Sequence, residues 1–196
     1  MASASLSAGN IRLLANDTAA KGYWEEEASV NGVWVGLLAD AFPGSDGFVL
    51  QPEGQGEGGY MRNDVLVRKI VDFQSGKQEA YLVFEGKSSR GNLNTAGSQL
   101  LAFVRNSPKI SGQRRVWGVV ACGVKYRLYF FLDGKAVQLK LGKPRVDDWG
   151  HYLGKPSQGP PSTDYTLGLT YGDAGCVESL QRFLAYARDH VQDFYP

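Results

Sequence analysis

The chain has 196 residues, enough for one domain with a full core rather than two. Its 43% hydrophobic and 21% charged content is that of an ordinary globular protein and excludes a disordered one. The net charge of +1, from 21 Lys and Arg against 20 Asp and Glu, shows no overall basic excess, yet leaves room for a local basic groove balanced by acid elsewhere.

Residues Met1 to Gly9 are small and polar and read as a loose tail. No basic segment followed by an apolar run opens the chain, and no stretch approaches the roughly 20 apolar residues of a membrane span. The expectation is an intracellular protein, of nucleus or cytoplasm, with no membrane partner. From about Asp17 to Phe42 the pattern is helical: Val30, Val33, Trp34, Leu37, Leu38 and Ala41 recur at helical spacing until Phe42-Pro43-Gly44. Gln51 to Gly59 is Gly-rich and reads as a loop. Gly54, Gly56 and Gly59 satisfy G-x-G-x-x-G, but a dinucleotide fingerprint needs a strand before it and a helix after it. Here a strand follows, and Glu53 and Glu57 would repel a pyrophosphate.

The middle is rich in strands. Asp64 to Phe73 and Glu79 to Glu85 alternate like strands, with Ser75-Gly76 as a tight turn between antiparallel partners. A helix is expected from about Ala96 to Asn106, stopped by Ser107-Pro108. Strands are expected over Arg115 to Cys122, Tyr126 to Leu132 and Ala136 to Leu141. Residues 142–164, rich in Pro, Gly and Ser, look irregular. A last helix, about Val177 to Phe194, sets Leu180, Phe183, Leu184, Ala187 and Val191 on one face. Cys122 reads as a small core residue; with Cys176 it makes neither a disulfide framework nor a zinc motif. Basic residues gather in the central segment, at Arg62, Arg68, Lys69, Lys87, Arg90, Arg105, Lys109, Arg114 and Arg115. His151 and His190 have no partners in sequence that suggest catalysis.

One short segment stands out. Glu85-Gly86-Lys87 ends the apolar strand Tyr81-Leu82-Val83-Phe84 in two opposite charges. Residues two apart in a strand project to one face, so Glu85 and Lys87 point together. Folding the hairpin about Ser75-Gly76 puts Asp64 opposite Lys87 and Leu66 opposite Glu85. Opposed residues share a face about 5 Å apart, which gathers Asp64, Glu85 and Lys87 at one corner. The competing acid, Asp72, lies eight residues further along, roughly 26 Å at the rise of a strand, and goes to the turn. Two carboxylates and the Gly86 carbonyl are hard oxygen ligands suited to Mg²⁺ or Mn²⁺. A lysine beside such a cation can hold or deprotonate a water and stabilise developing charge. The bland alternative is a solvated Glu–Lys pair with an unrelated Asp.

Asp64, then Glu85-Gly86-Lys87, then a helix carrying Gln99, then an apolar hairpin, resembles the PD-(D/E)XK nuclease superfamily of restriction endonucleases, RecB-type and lambda-exonuclease-type nucleases and Holliday-junction resolvases. The resemblance covers about residues 17–132 and implies an α/β fold with a restriction-endonuclease-like αβββαβ core, a mixed sheet flanked by helices. Residues of about 142–196 would be a carboxy-terminal helical extension of the same domain. It further implies Asp64 and Glu85 as metal-binding acids and Lys87 as the catalytic lysine of a Mg²⁺- or Mn²⁺-dependent nuclease, DNA being favoured over RNA. Family members often add a Glu from the first helix. Glu25, Glu26 and Glu27 compete for that place, and Glu27 is preferred because it shares a helical face with Asn31, Trp34 and Leu38. Gln99-Leu-Leu-Ala-Phe103 is similar to the Gln-x-x-x-Tyr motif of RecB-like members, with Phe in place of Tyr. Asn63 stands where the signature has Pro. Gln99, Ser88 and Arg90 are the expected contacts to nucleic acid. Many relatives dimerise to cut both strands, so a homodimer is a possible assembly. The alternative function is a binding module, for nucleic acid or protein, that kept the fold without turnover.

Overall fold

The computed structural model describes residues 7–55, 62–107, 110, 115–133, 135–141, 157–158, 164–169, 173 and 175–189. Expectations for Met1 to Leu6, the 56–59 part of the Gly-rich loop, Lys109, Arg114, nearly all of 142–163, both histidines and the end of the last helix lie outside the described residues.

The chain is mixed α/β, with a mostly antiparallel sheet flanked by helices. Helices α1 (Ala8–Asn16), α2 (Lys21–Trp24) and α3 (Glu27–Ala41) come first. Strands β1 (Phe48–Gln55), β2 (Arg62–Asp72) and β3 (Lys77–Lys87) follow, then α4 (Leu93–Asn106). Next come β4 (Arg115–Cys122), β5 (Lys125–Leu132) and β6 (Lys135–Lys140). Two-residue strands β7 (Ser157–Gln158) and β8 (Tyr165–Thr166) precede α5 (Val177–Asp189). The strand order is β1-β2-β3-β4-β5-β6-β7, with β8 also paired to β5. Only the β3–β4 pair is parallel among the described strands. A parallel pair needs a crossover, and α4 supplies it.

Each face of the sheet carries its own core. On one, Val30, Trp34, Leu37 and Leu38 of α3 and Leu180, Phe183 and Leu184 of α5 pack on Val65, Val67, Leu82, Phe84 and Trp117. On the other, Leu93, Ala96, Leu100, Phe103 and Val104 of α4 cover Leu66, Val83, Val116 and Val120. β3 is therefore apolar on both faces from Ala80 to Phe84, as a strand covered on both sides must be. Trp34 stacks on Phe84 with ring centroids 5.3 Å apart, which fixes α3 over the end of β3.

Three local expectations change. The single early helix is broken, because Glu26 takes an extended conformation (φ −102°, ψ 126°) and the Trp24 carbonyl accepts the Ser89 N–H at 2.7 Å. Docking of that corner on the loop after β3 ends the helix that propensity alone would continue. Ala8 and Gly9, expected in the tail, open a helix that runs to Asn16. Ser7 caps it, Ile11 is buried, and Arg12 pairs with Glu178 at 2.7 Å. The assigned loop begins too early, since β1 runs on through Pro52 to Gln55 against β2. Among the described strands β1 pairs with β2 alone, and an edge strand tolerates a proline that lacks the N–H of a central one.

The hairpin register also differs. Val65 faces Phe84 and Leu66 faces Val83, two residues from the register obtained by folding about Ser75-Gly76. Asp72 pairs with Lys77, so the turn centres one residue earlier, between Gln74 and Ser75. Irregularities follow between Val67 and Arg68 and between Ile70 and Asp72. At the Asp64 end the slip is two, which leaves the side chains up to Val67 on their faces, whereas a slip of one would have reversed them; from Arg68 to Ile70 the irregularity makes it three. Asp72 organises the turn as an acceptor for Gln74 N–H and Ser75 Oγ–H; those bonds hold its carboxyl below the usual range. No helix among the described residues is long and apolar enough to cross a membrane.

Candidate active site

The last residues of β3 meet β2 and the first turns of α3. The Gly86 N–H donates to Asp64 Oδ2 at 2.6 Å, joining the acid of β2 directly to the Glu85-Gly86-Lys87 segment. Lys87 Nζ donates to Glu85 Oε1 at 2.7 Å. It also lies 3.5 Å from Glu27 Oε1 of α3. Glu85 is only 4% exposed, an unusual burial for a carboxylate that has a single cationic partner among the described residues.

Asn31 completes the cluster. It lies one turn after Glu27 on α3, so the two side chains share a face. Its amide lies beside Asp64 and helps to pull that carboxyl down. A Cβ built on Gly86 would come 2.0 Å from Asn31 Oδ1 and 3.0 Å from the Phe84 ring. Only glycine leaves room for the amide to lie over β3. In the sequence Asn31 enters only as a neighbour of Glu27. It carries a signal, a polar residue inside the otherwise buried run Val30, Val33, Trp34 and Leu37, but nothing in the sequence says that it faces Gly86.

The remaining expected residues are placed differently. Glu27, assigned to the metal, sits beside Lys87. Among the described residues no group of three or more His, Cys, Asp or Glu side chains gathers to hold a metal. Arg90 is exposed and engaged in an ion pair with Glu25. Ser88 is half-buried, and its carbonyl accepts from the Cys122 thiol at 3.0 Å and the Gly91 N–H at 2.9 Å. Gln99 is exposed on α4 and makes no hydrogen bond to Asp64, Glu85 or Lys87. The side chain of Arg62 lies outside the described residues. Cys122 is buried in the α4-side core, as expected.

No protein-family model and no curated protein matches the chain.

Burial dominates the electrostatics. Desolvation raises the Glu85 carboxyl to about 7; the Lys87 hydrogen bond and charge oppose this, and the charges of Asp64 and Glu27 add to it. Asp64 is raised for the same first reason, although the Gly86 N–H, Lys87 and Asn31 pull it down. Desolvation alone would lower Lys87, but its hydrogen bond to Glu85 and the charges of Glu85, Glu27 and Asp64 outweigh that and leave it raised. Lys87 is therefore a fixed cation at neutral pH.

The Glu85 shift has a defined sign. A carboxyl whose folded pKa exceeds its unfolded value binds a proton more tightly when folded, so its contribution to stability falls as pH rises from about 4.5 to about 7. Glu85→Gln removes that dependence. Thermal melts of the metal-free protein across this window should show the wild type losing stability relative to the variant; parallel curves would remove Glu85 as a titrating group.

Two buried oxygen acceptors here have no donor, Glu85 Oε2 and Asn31 Oδ1. Leaving such atoms unpaired costs about 1–3 kcal/mol each, more for a charged group. A hard cation at the carboxylate would satisfy Glu85 Oε2. On this criterion the residues present fit a divalent ion with oxygen ligands.

Proposed function

We propose that the chain is a divalent-metal nuclease of the PD-(D/E)XK type that hydrolyses phosphodiester bonds in nucleic acid, DNA more readily than RNA. The observation that carries this reading is the convergence of a buried Glu85, Asp64 and Lys87 on one Gly86 peptide, with Glu85 Oε2 left without a donor. The element order α3, β1, β2, β3, α4, β4 supports it, being the αβββαβ order that the resemblance implies.

Asp64 and Glu85 would hold Mg²⁺ or Mn²⁺, with the Gly86 carbonyl as a further oxygen. When bound, the ion supplies Lewis acidity toward a phosphoryl oxygen and makes a nearby water more acidic. Lys87, charged at working pH, suits the task of holding the attacking water and countering charge on the phosphorane-like transition state, rather than accepting a proton. Asn31 orients Asp64, and Glu27 holds the lysine from the other side. Because Glu85 must lose its proton to bind a cation, metal binding and cleavage should strengthen as pH rises through about 7.

The test uses labelled single- and double-stranded DNA and RNA with Mg²⁺, Mn²⁺ or EDTA. Cleavage is expected with either ion and not in EDTA. Asp64→Asn is expected to lower the rate by about 10³-fold or more. Mn²⁺ should raise the melting temperature of the wild type but not of the Asp64→Asn, Glu85→Gln double variant. Cleavage that persists in EDTA would exclude a metal mechanism. Binding of nucleic acid without metal-dependent cleavage would leave a binding module on the same fold.

A further inference from the structure

Two cavities lie on the α4 side of the sheet and share Asn94 and Arg127 in their walls. The first, about 310 Å³, is lined by Ser89, Asn92, Asn94, Lys125, Arg127 and Asp164 among others. The second, about 440 Å³, continues from Asn94 and Arg127 along α4 to Ser98, Tyr129 and Phe131. The wall of the first packs against the backbone and Cβ of Lys87. Gly91 is in its wall, where an added Cβ would lie 2.7 Å from Lys87 Cβ, and the Gly123 N–H donates to the Lys87 carbonyl at 2.9 Å.

The chemistry of the walls is graded. Arg127 is 8% exposed and rigidly held, by an ion pair with Asp164 and by donation from Nη1 to Asn94 Oδ1 at 2.6 Å. Arg127 and Asp164 cancel, so exposed Lys125 gives the first cavity a net positive charge among its lining residues. The second holds the half-buried Tyr129, its ring stacked on Phe131 at 6.2 Å, with polar Ser98 and Asn94 opposite. Charge next to the catalytic lysine followed by aromatic surface is what a nucleic-acid strand needs, phosphates on one part and a base on the other. A paired base inside a duplex cannot present its face to such a recess.

We infer that these two cavities form one trough that carries a single strand of nucleic acid away from the Asp64–Glu85–Lys87 centre, with Lys125 meeting a phosphate and Tyr129 meeting an unpaired base. The inference rests on the nuclease reading and deepens it to an unpaired segment as substrate.

Fluorescence anisotropy tests it, with a labelled oligothymidylate of about ten nucleotides, within the usual site size of a single-strand groove, and the full chain in EDTA so that no metal-dependent cleavage intervenes. Lys125→Glu and Ser98→Glu should each raise the Kd by about tenfold or more. Lys125→Ala should lower the slope of log K against log salt by about 0.7, the value for one phosphate on a single strand. Lys77→Glu, at the far hairpin tip, should change neither. Wild-type affinity in both charge variants, equal weakening by Lys77→Glu, or binding of duplex but not of the single strand would overturn the trough. The two readings fail separately. A chain that cleaves while Lys125→Glu and Ser98→Glu both leave the Kd unchanged keeps the nuclease and loses the trough. One that never cleaves but loses affinity on Lys125→Glu keeps the trough alone.

Discussion

Lys87→Ala is expected to slow cleavage by about 10³-fold or more while leaving a folded protein. The large loss follows from position and charge. Lys87 Nζ is the cation between Glu85 and Glu27, and its raised pKa keeps it protonated throughout the working range. Removing one partner of a buried pair usually costs about 3–5 kcal/mol, because the other charge is stranded. Glu85 escapes that penalty. Its carboxyl titrates at about 7 even with the lysine present, so without it a proton taken up near neutral pH removes the stranded charge. The variant should accordingly be close to the wild type in stability at pH 6 and fall behind it at pH 9. Circular dichroism melts at both values, beside single-turnover cleavage, check the two halves independently. A variant that cleaves at the wild-type rate would remove the lysine from the mechanism.

Gly86→Ala is expected to act through Asn31. The added methyl would lie 2.0 Å from Asn31 Oδ1, and 3.0 Å from Phe84, so the amide must swing off β3 or the strand must move. Overpacking of this kind costs about 1–3 kcal/mol. The effect on rate should be greater, about 100-fold, because Asp64 loses its amide partner and a displacement of an ångström at the reacting centre is enough for that. A second substitution separates the two effects. Asn31→Ala empties the space the methyl needs, so the double variant should regain most of the lost stability and none of the lost rate. Additive losses in stability would show that the two residues are not coupled.

Much of this arrangement is legible in the chain itself. The apolar run Tyr81-Leu82-Val83-Phe84 identifies β3 as covered on both faces, and the alternation rule puts Glu85 and Lys87 together. The same rule survives the actual register. Folding the hairpin one residue off centre shifts the pairing by two, which moves Asp64 along the sheet but not through it, and it still meets the Gly86 N–H. Asp72 goes to the turn, as its distance from Asp64 requires, and there it binds Gln74 and Ser75. The β1 strand is hidden because its glycine and Pro52 carry turn chemistry, and only its place at the sheet edge makes them acceptable.

The sequence by itself determined the central strands, α4 and α5 and which face most of their side chains take, though not α1, β1 or the break before α3, because the former follow from periodicities of two or 3.6 residues within one segment. That was enough to bring two acids and a lysine to one end of a hairpin. Only the tertiary structure decided what surrounds them: Asn31 of α3 filling the space over Gly86, Glu27 turned to Lys87, and Arg90 engaged by Glu25. Those contacts join α2 and α3 to the end of β3 and the loop beyond it. They depend on how Trp34 stacks on Phe84 and where the Ser89 N–H meets Trp24, packing between distant segments that no local period encodes.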